Sequence, residues 1–424
     1  MKILRIIASI DRAYGGPAEG ILRTGQVLQT MGIGQEIATL DAPGSPCLAD
    51  IAATVHPLGE PDGPLAAPDD RKPEGRLPNP ARRYFYAPRA VPWLEAHIGD
   101  YDAVIVSGLW NYATMAARRA LVGGRVPYVV FAHGMLDPWF RRAYPLKGLV
   151  KQMSWLVNEG PLLNNATAVL FTSEEERVQA HRVFRPYRLK ERVVRYGTAD
   201  VAGDAAAQIA AFREAAPALG ERRFLLFLGR IHQKKGCDLL IDAFANQAGR
   251  DPGLDLVIAG PDHVGWRPAL EERARRLGVS DRIHWPGMLS GDRKWGAFRA
   301  CEAMILPSHQ ENFGIVVAEA MACEKPVLVS DKVNIWREVA GAGAGLVAPD
   351  DAAGAEALIA GFLDLTPDER KDMAKRARAC FLDRFEVQGA ARDLAAVLTE
   401  AVEGHVSGGA GQLTECRRRS VDQR

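Results

Sequence analysis

PSHQENFGIVVAEAMACEKPVLVS, residues 307–330, decides the fold. It reads as loop, helix, turn and strand. Ala303, Met304, Ile305 and Leu306 precede it as a short apolar run, which predicts a buried strand. Residues 308–312 are polar and form a loop. Gly314 opens a run rich in Ala, Val and Met that suits a buried helix. Pro326 closes the turn, and Val327, Leu328 and Val329 make the next strand. Two carboxylates mark the unit: Glu311 in the loop, and Glu319 two turns into the helix.

Eight helical residues span about 12 Å at 1.5 Å each. That is roughly the reach from a sugar, across a diphosphate, to a ribose. The amides of Asn312, Phe313 and Gly314 fall between the acids at a helix N-terminus, a place that attracts phosphate. Glu319 lies amid Val317, Ala318, Ala320 and Met321, where a carboxylate is costly unless hydrogen-bonded. A pair of ribose hydroxyls would satisfy it. Two surface acids flanking a core helix is the alternative that spacing alone leaves open.

The flanking residues narrow the choice. Ser308, Glu311, Asn312, Phe313 and Gly314, followed by Glu319, Ala320, Met321 and Ala322 and then Pro326 and Val327, resemble the Glu-x7-Glu signature of the retaining glycosyltransferases of family 4. The similarity extends from Lys2 to about Val402 and is strongest over residues 224–340. It implies α/β architecture of the GT-B type, two Rossmann-like doubly wound domains facing across a cleft. In that family the acid matching Glu311 binds donor-sugar hydroxyls and the acid matching Glu319 binds the ribose. Asn312, Phe313, Gly314 and Ile315 are donor-binding positions by the same match. One departure is Cys323 and Glu324, where a Gly is usual before the Lys-Pro turn, so the local turn geometry is in question.

Composition sets the class. The chain has 424 residues, enough for two or three domains, with 47% hydrophobic and 25% charged residues. Lys plus Arg, 53, against Asp plus Glu, 52, leaves a net charge of +1, which argues against a dedicated nucleic-acid binder. Cys47, Cys237, Cys301, Cys323, Cys380 and Cys416 form no Cys-x-x-Cys pair, so neither zinc nor a redox motif is expected, and a reducing cytoplasmic setting fits. Residues 1–10 are apolar but short, with Arg5 inside them and no small-residue cleavage site after them. They predict a first strand, not a signal peptide. No run reaches 18 apolar residues, so no membrane span is expected.

In the N-terminal half, the strand at residues 3–9 leads to Gly15 and Gly16 and then a helix. A Gly pair there lets backbone approach a ligand closely. In the resembling family this loop borders the donor diphosphate and the acceptor. Pro43, Pro46, Pro57, Pro61, Pro64, Pro68, Pro73, Pro78 and Pro80 exclude regular elements across most of residues 41–80. Residues 102–107 and 126–132 are strands. His133 and Gly134 follow the second, where open α/β sheets bind ligands, and the family has a His-Gly here near the donor sugar and acceptor. Residues 138–157, PWFRRAYPLKGLVKQMSWLV, carry Arg141, Arg142, Lys147 and Lys151 with no acid. Trp139, Phe140, Tyr144, Leu146, Leu149, Met153 and Trp155 supply an apolar side. This suits a membrane interface, or an amphipathic helix packed on its own domain. The Arg and aromatic residues of 82–90 would belong to the same face. Glu174, Glu175 and Glu176 after Ser173 read as a helix cap with acids in its first turn.

In the C-terminal half, residues 199–220 read as a linker containing a helix. The strand at 224–228 runs into Gly229, Arg230, Ile231, His232, Gln233, Lys234, Lys235 and Gly236, then a helix. Strand, cationic loop and helix N-terminus together make an anion site. Family residues matching Arg230 and Lys235 hold the donor diphosphate. Two further loops, one following Gly260 and one containing Gly287 and Leu289, bracket the base in relatives.

The expected organisation is residues 1–198 as an acceptor-side domain, 199–385 as a nucleotide-sugar-binding domain, 386–404 as a helix crossing back, and 405–424 as a disordered tail. The expected activity is retaining transfer of a sugar from a nucleotide-diphosphate sugar, used as co-substrate with no further cofactor, to a sugar or lipid-linked oligosaccharide. The expected setting is bacterial surface-polysaccharide or glycolipid assembly, cytoplasmic or on the inner face of the plasma membrane. Arg230, Lys235, Glu311 and His133 are the expected catalytic residues. No Asp-x-Asp motif accompanies the phosphate loop, so no metal is expected. A non-catalytic nucleotide-sugar-binding protein on the same fold is the alternative. A dinucleotide-dependent dehydrogenase is disfavoured, because Gly-x-Gly-x-x-Gly does not follow the first strand.

Overall fold

The computed structural model describes residues 1–11, 16–49, 51–60, 84–139, 141 and 145–421, without the side chains of residues 16 and 406–421. The chain divides into two compact units, Met1–Arg195 with Val387–Arg424, and Tyr196–Glu386.

Among its described residues the first unit holds seven strands: β1 Lys2–Ile7, β2 Gly34–Thr39, β3 Val55–Pro57, β4 Ala103–Ser107, β5 Tyr128–Phe131, β6 Ala168–Phe171 and β7 Glu191–Val193. They pair in parallel in the order β3-β2-β1-β4-β5-β6-β7. Both faces of the sheet are covered, as parallel sheets require. On β1, Leu4 and Ile6 pack in a cluster with Val104, Val106 and Trp155, while Ile7 joins Ile21 and Ile37 on the opposite side. The proline-rich stretch, expected to be irregular over most of its length, contains a short strand among its described residues. β3 pairs with β2 through Val55 opposite Ile37 and ends at Pro57. It is an edge strand, where a missing N–H breaks no ladder. Residues 61–83 lie outside the described residues.

The second unit holds β8 Arg223–Leu228, β9 Leu254–Ala259, β10 Ile283–Gly287, β11 Ala303–Leu306, β12 Val327–Ser330 and β13 Gly345–Ala348. These are parallel, in the order β10-β9-β8-β11-β12-β13. The stretch expected to be a linker containing a helix holds the helix Ala205–Ala215, capped by Asp204 through the amide of Ala207 at 2.7 Å. It is tied to the helix Gly291–Ala300 by Gln208, which donates to Asp292 at 3.0 Å and accepts from Arg299 at 2.7 Å. It is therefore a layer of the unit.

Both sheets reverse their strand order beside their first strand, between β1 and β4 and between β8 and β11. At such a reversal the two following loops run off in opposite directions and leave a crevice at the carboxyl ends of the strands. The chain enters and leaves the second unit side by side: the amide of Thr198 donates to the carbonyl of Phe385 at 2.9 Å, and Thr198 bridges to Glu386. The last helix, Val387–Val421, belongs to the first unit and is held there by Arg195 on Asp393 at 2.7 Å and by Arg192 on Glu400. Its backbone continues into the stretch expected to be disordered. No proline interrupts it, and residues 422–424 lie outside the described residues. No helix among the described residues is long and apolar enough to cross a membrane.

The departure at Cys323 and Glu324 has a structural counterpart. The helix Ile315–Ala322 ends with Cys323 as its cap, and Glu324 follows with φ 57°. That left-handed position favours Gly, and a residue with a Cβ there costs roughly 1–2 kcal/mol. Glu324→Gly is therefore expected to raise stability by about 1 kcal/mol, after allowance for the greater freedom of Gly in the unfolded chain. The change would be read from the urea unfolding midpoint at unchanged slope; an unmoved or lowered midpoint contradicts it.

Candidate active site

The loops after β8 and β11 meet at the reversal of the second sheet. After Leu228 the backbone passes Arg230 and makes a short turn, Gln233–Lys235, capped by His232, whose Nδ1 accepts the Lys234 amide at 3.1 Å. Gly236 ends the turn at φ 65°, and a Cβ there would lie 2.3 Å from the Pro307 carbonyl oxygen. Only Gly lets the two loops press together so closely. The His309 amide completes the contact, donating to the Lys234 carbonyl at 2.8 Å. The result is an ion pair between Lys235 Nζ and Glu311 Oε2. Burial, then the charges of Lys234, Arg230 and Lys235, push the His232 pKa below its ordinary value. Positive potential is thus concentrated at this turn, directly ahead of the helix Cys237–Gln247.

The backbone of Glu311 is held on both sides. Its amide donates to the Lys332 carbonyl at 2.9 Å, and its carbonyl accepts the Asn334 amide at 3.0 Å. Gly314 stands at φ 75°, where a Cβ would crowd Glu311 Cγ at 3.2 Å and Val333 Cγ1 at 3.2 Å. The Gly therefore makes room for the acid three residues before it. Asn312 accepts from Asn334 at 3.5 Å. Phe313 is 6% exposed, with its ring edge-on to Tyr196 at 5.1 Å and to Phe385 at 5.6 Å. Its side chain is a core anchor, so only its backbone is available to a ligand. Ile315 is half-buried and opens the helix.

Glu319 is buried at 6% exposure, and its carboxylate is satisfied by Lys294, whose Nζ donates to Oε1 at 2.7 Å. The need for a partner was visible in the sequence. Lys294 was not singled out, because GDRKWGAFRA gives no reason to prefer it over its neighbours. It rides on the helix Gly291–Ala300, which starts just after the loop carrying Gly287 and Leu289. In that loop the Gly287 carbonyl accepts the Gly260 amide at 2.8 Å, and Leu289 is buried. Arg230 is exposed and makes no hydrogen bond or ion pair among the described residues. The structure thus joins Lys235 to Glu311 directly and gives Glu319 a different cation. Arg230, in the loop after β8, stays exposed.

The reversal of the first sheet carries a second set of residues. A cavity of about 220 Å³ there is lined by Ser9, Asp11, Gly108, Trp110, Asn111 and His133, among others. His133 and Gly134 both take left-handed backbone, φ 48° and 72°. Glu176 makes that turn possible. Its buried carboxylate accepts the Gly134 amide at 2.6 Å, the Thr172 amide at 2.7 Å and the Thr172 hydroxyl at 2.6 Å. Glu176 lies in the first turn of the helix that Ser173 caps, yet its side chain serves the His133 turn rather than the helix end alone. The loop after β1 has a similar brace in buried Asp41, which accepts from the Ser9 hydroxyl at 2.7 Å and the Ile10 amide at 2.9 Å. Burial, then the Arg5 guanidinium, push the His133 pKa down to about 3. His133 is neutral at physiological pH and a weak proton acceptor. Gly15 lies outside the described residues, and Gly16 opens the helix Gly16–Thr30.

Comparison with known proteins agrees with this architecture. Residues 208–379 match the family described as glycosyl transferases group 1, and residues 15–197 match the glycosyl transferase 4-like domain. The chain belongs to the group 1, family 4 glycosyltransferases, with the GT-B fold. Among curated proteins it is 34% identical over 235 residues to a D-inositol 3-phosphate glycosyltransferase of Kribbella flavida, covering 52% of this chain and 54% of that protein. The chain spans about half the length, or less, of the curated relatives it matches. Among solved structures, Anabaena HepE in complex with UDP and glucose superposes with a TM-score of 0.69 at 18% identity, covering 94% of this chain and 99% of that one. Sucrose-phosphate synthase from Thermosynechococcus elongatus does so with a TM-score of 0.71 at 19% identity, covering 95% and 99%.

Proposed function

We propose that this chain is a retaining glycosyltransferase that moves a sugar from a nucleotide-diphosphate sugar to an acceptor hydroxyl. The observation that carries this is the pairing of Lys235 with Glu311 at the reversal of the second sheet, with the buried Glu319 on the helix that follows. Departure of the nucleotide diphosphate is the hard step, and fixed positive charge aimed at developing negative charge lowers its barrier. Arg230, Lys235 and the amides before the helix Ile315–Ala322 supply that charge. On donor binding Lys235 exchanges Glu311 for a phosphate oxygen, which frees Glu311 for a sugar hydroxyl. Glu319, held by Lys294 through one oxygen, offers the other to the ribose. The loop of Gly287 and Leu289 borders the base. No resident metal is required, since protein cations meet the diphosphate.

The first unit, with Gly15, Gly16 and His133, takes the acceptor side. His133 acts there by hydrogen bonding, since its depressed pKa leaves the departing phosphate as the better proton acceptor. Retention of configuration follows the family resemblance. HepE, solved with UDP and glucose and with UDP-glucose, supports a nucleotide-sugar donor. The acceptor is a sugar or lipid-linked oligosaccharide of surface-polysaccharide or glycolipid assembly. Among the described residues five cysteines are free, four of them buried, which suits a reducing cytoplasmic compartment.

A panel of nucleotide-diphosphate sugars, added with EDTA, tests the donor. The correct one is expected to stabilise the protein by about 2.7 kcal/mol at a hundred times its dissociation constant. No rise in melting temperature with any of them overturns the reading. A donor that binds but releases no nucleoside diphosphate in the presence of acceptors would favour the non-catalytic alternative.

A further inference from the structure

The helix Pro145–Ser154 and the π-turn Trp155–Glu159 that continues it are built inside out. Leu146, Leu149, Val150, Met153, Leu156 and Val157 follow helical spacing and make one apolar stripe. That stripe faces solvent: Leu146 is 83% exposed, Val150 69% and Val157 66%. The inward side is the polar one. Gly148, Asn158 and Glu159 are buried there with Trp155, and Lys151 lies over the Trp110 ring at 4.8 Å. Trp155, counted with the apolar side in the sequence, is instead the one large residue that packs inward, donating to the Pro186 carbonyl at 2.8 Å. Tyr84 and Tyr86 pack edge-on to Tyr112, so they are engaged within the unit.

The stripe has a basic border. The segment 181–190 runs alongside the helix, fixed by Gln152, which donates to the Arg185 carbonyl at 2.6 Å and accepts the Arg185 amide at 3.2 Å. It presents Arg182, Arg185, Arg188 and Lys190 to solvent, and Lys147 is exposed on the helix itself. Residues 138–173 contain a single acid, Glu159, which is buried, and residues 177–190 contain none. An exposed apolar stripe bordered by cations is complementary to a surface that is apolar beneath and anionic at its face, which describes a bilayer rich in acidic lipids. A second copy fits poorly, because a two-fold contact would set one basic border against the other.

We propose that the stripe of Leu146, Leu149, Val150, Met153, Leu156 and Val157, with the cations of 182–190, seats the first unit on an anionic membrane surface. The stripe enters the acyl boundary while Arg185, Arg188 and Lys190 meet headgroup phosphates. This goes beyond the transferase reading and does not rest on it, since the seating needs neither donor nor acceptor.

Flotation of the full chain with vesicles tests it in the absence of nucleotide sugar. Phosphatidylcholine vesicles containing about 30% phosphatidylglycerol are expected to bind at least tenfold more protein than pure phosphatidylcholine at about 0.1 M salt, with the excess falling as salt rises. Leu149→Glu with Met153→Glu, and separately Arg185→Glu with Arg188→Glu, should each lower that binding at least tenfold. All four side chains are at the surface, so the thermal midpoint should not change. Equal binding to both vesicle types, or wild-type binding by the Leu149 and Met153 double variant, overturns the proposal. So does a wild-type dimer in sedimentation that this variant dissolves, without any vesicle binding; the stripe would then be a contact between copies.

Discussion

Arg230→Ala and Lys235→Ala should each lower turnover by about 10²-fold or more, the scale set by loss of one charge-stabilising donor. The two losses should differ in kind. Arg230 is exposed and makes no ion pair among the described residues, so its removal disturbs no other group described, and the loss should fall mainly on kcat. Lys235 is paired with Glu311. Its removal leaves the Glu311 carboxylate, anchored by its backbone bonds to 332 and 334, facing the incoming diphosphate. Donor affinity should therefore fall together with turnover. Lys234→Ala serves as control, since its neighbour and not Lys234 contacts the acid. Near-normal turnover in both Arg230→Ala and Lys235→Ala would remove the phosphate site from this loop.

The second large effect concerns Lys294. In Lys294→Met the buried carboxylate of Glu319 loses its partner. Breaking a fully buried pair costs about 3–5 kcal/mol; Lys294 keeps partial exposure, so about 2–3 kcal/mol is expected. The pH dependence identifies the cause. An unpaired buried carboxylate has its folded pKa raised above the unfolded value of about 4.3. The penalty is then absent below that value, where the group is protonated in both states, and grows as pH rises through it. Urea unfolding at about pH 4 and pH 8 should show wild type and variant closer together at the lower pH. Adding Glu319→Leu should restore most of the stability and none of the donor binding. If the single variant were as stable as wild type at pH 8, the ion pair would not be what satisfies Glu319.

Much of the second unit was legible because its elements are short, apolar and bounded by strong breakers. β11 falls at the expected residues, and the pressure of Gly236 on Pro307 explains why the cationic loop and the Glu311 loop come together. What was not legible depends on direction or on distant partners. A buried acid announces that it needs a hydrogen-bonding partner, read in the sequence as a ribose, but local sequence cannot say that Lys294 supplies it from the preceding helix. Ser173 announces a cap, yet whether Glu176 serves the cap or the turn of His133 depends on β5 and β6 lying side by side. Pro57 argues against a strand until the strand is known to be an edge. The 3.6-residue period of residues 146–157 is plain in sequence. Period alone does not say which side faces the core, and here the polar one does.

The hydrogen bond from Thr198 to Phe385 and the bridge to Glu386 bring the ends of the Tyr196–Glu386 unit together. Topologically that unit is an insertion, a closed excursion from a chain that resumes where it paused. A body of this kind is portable. Its ends could be joined and new ones opened in an exposed loop, and a homologous unit could be exchanged at the same two positions without rerouting the host.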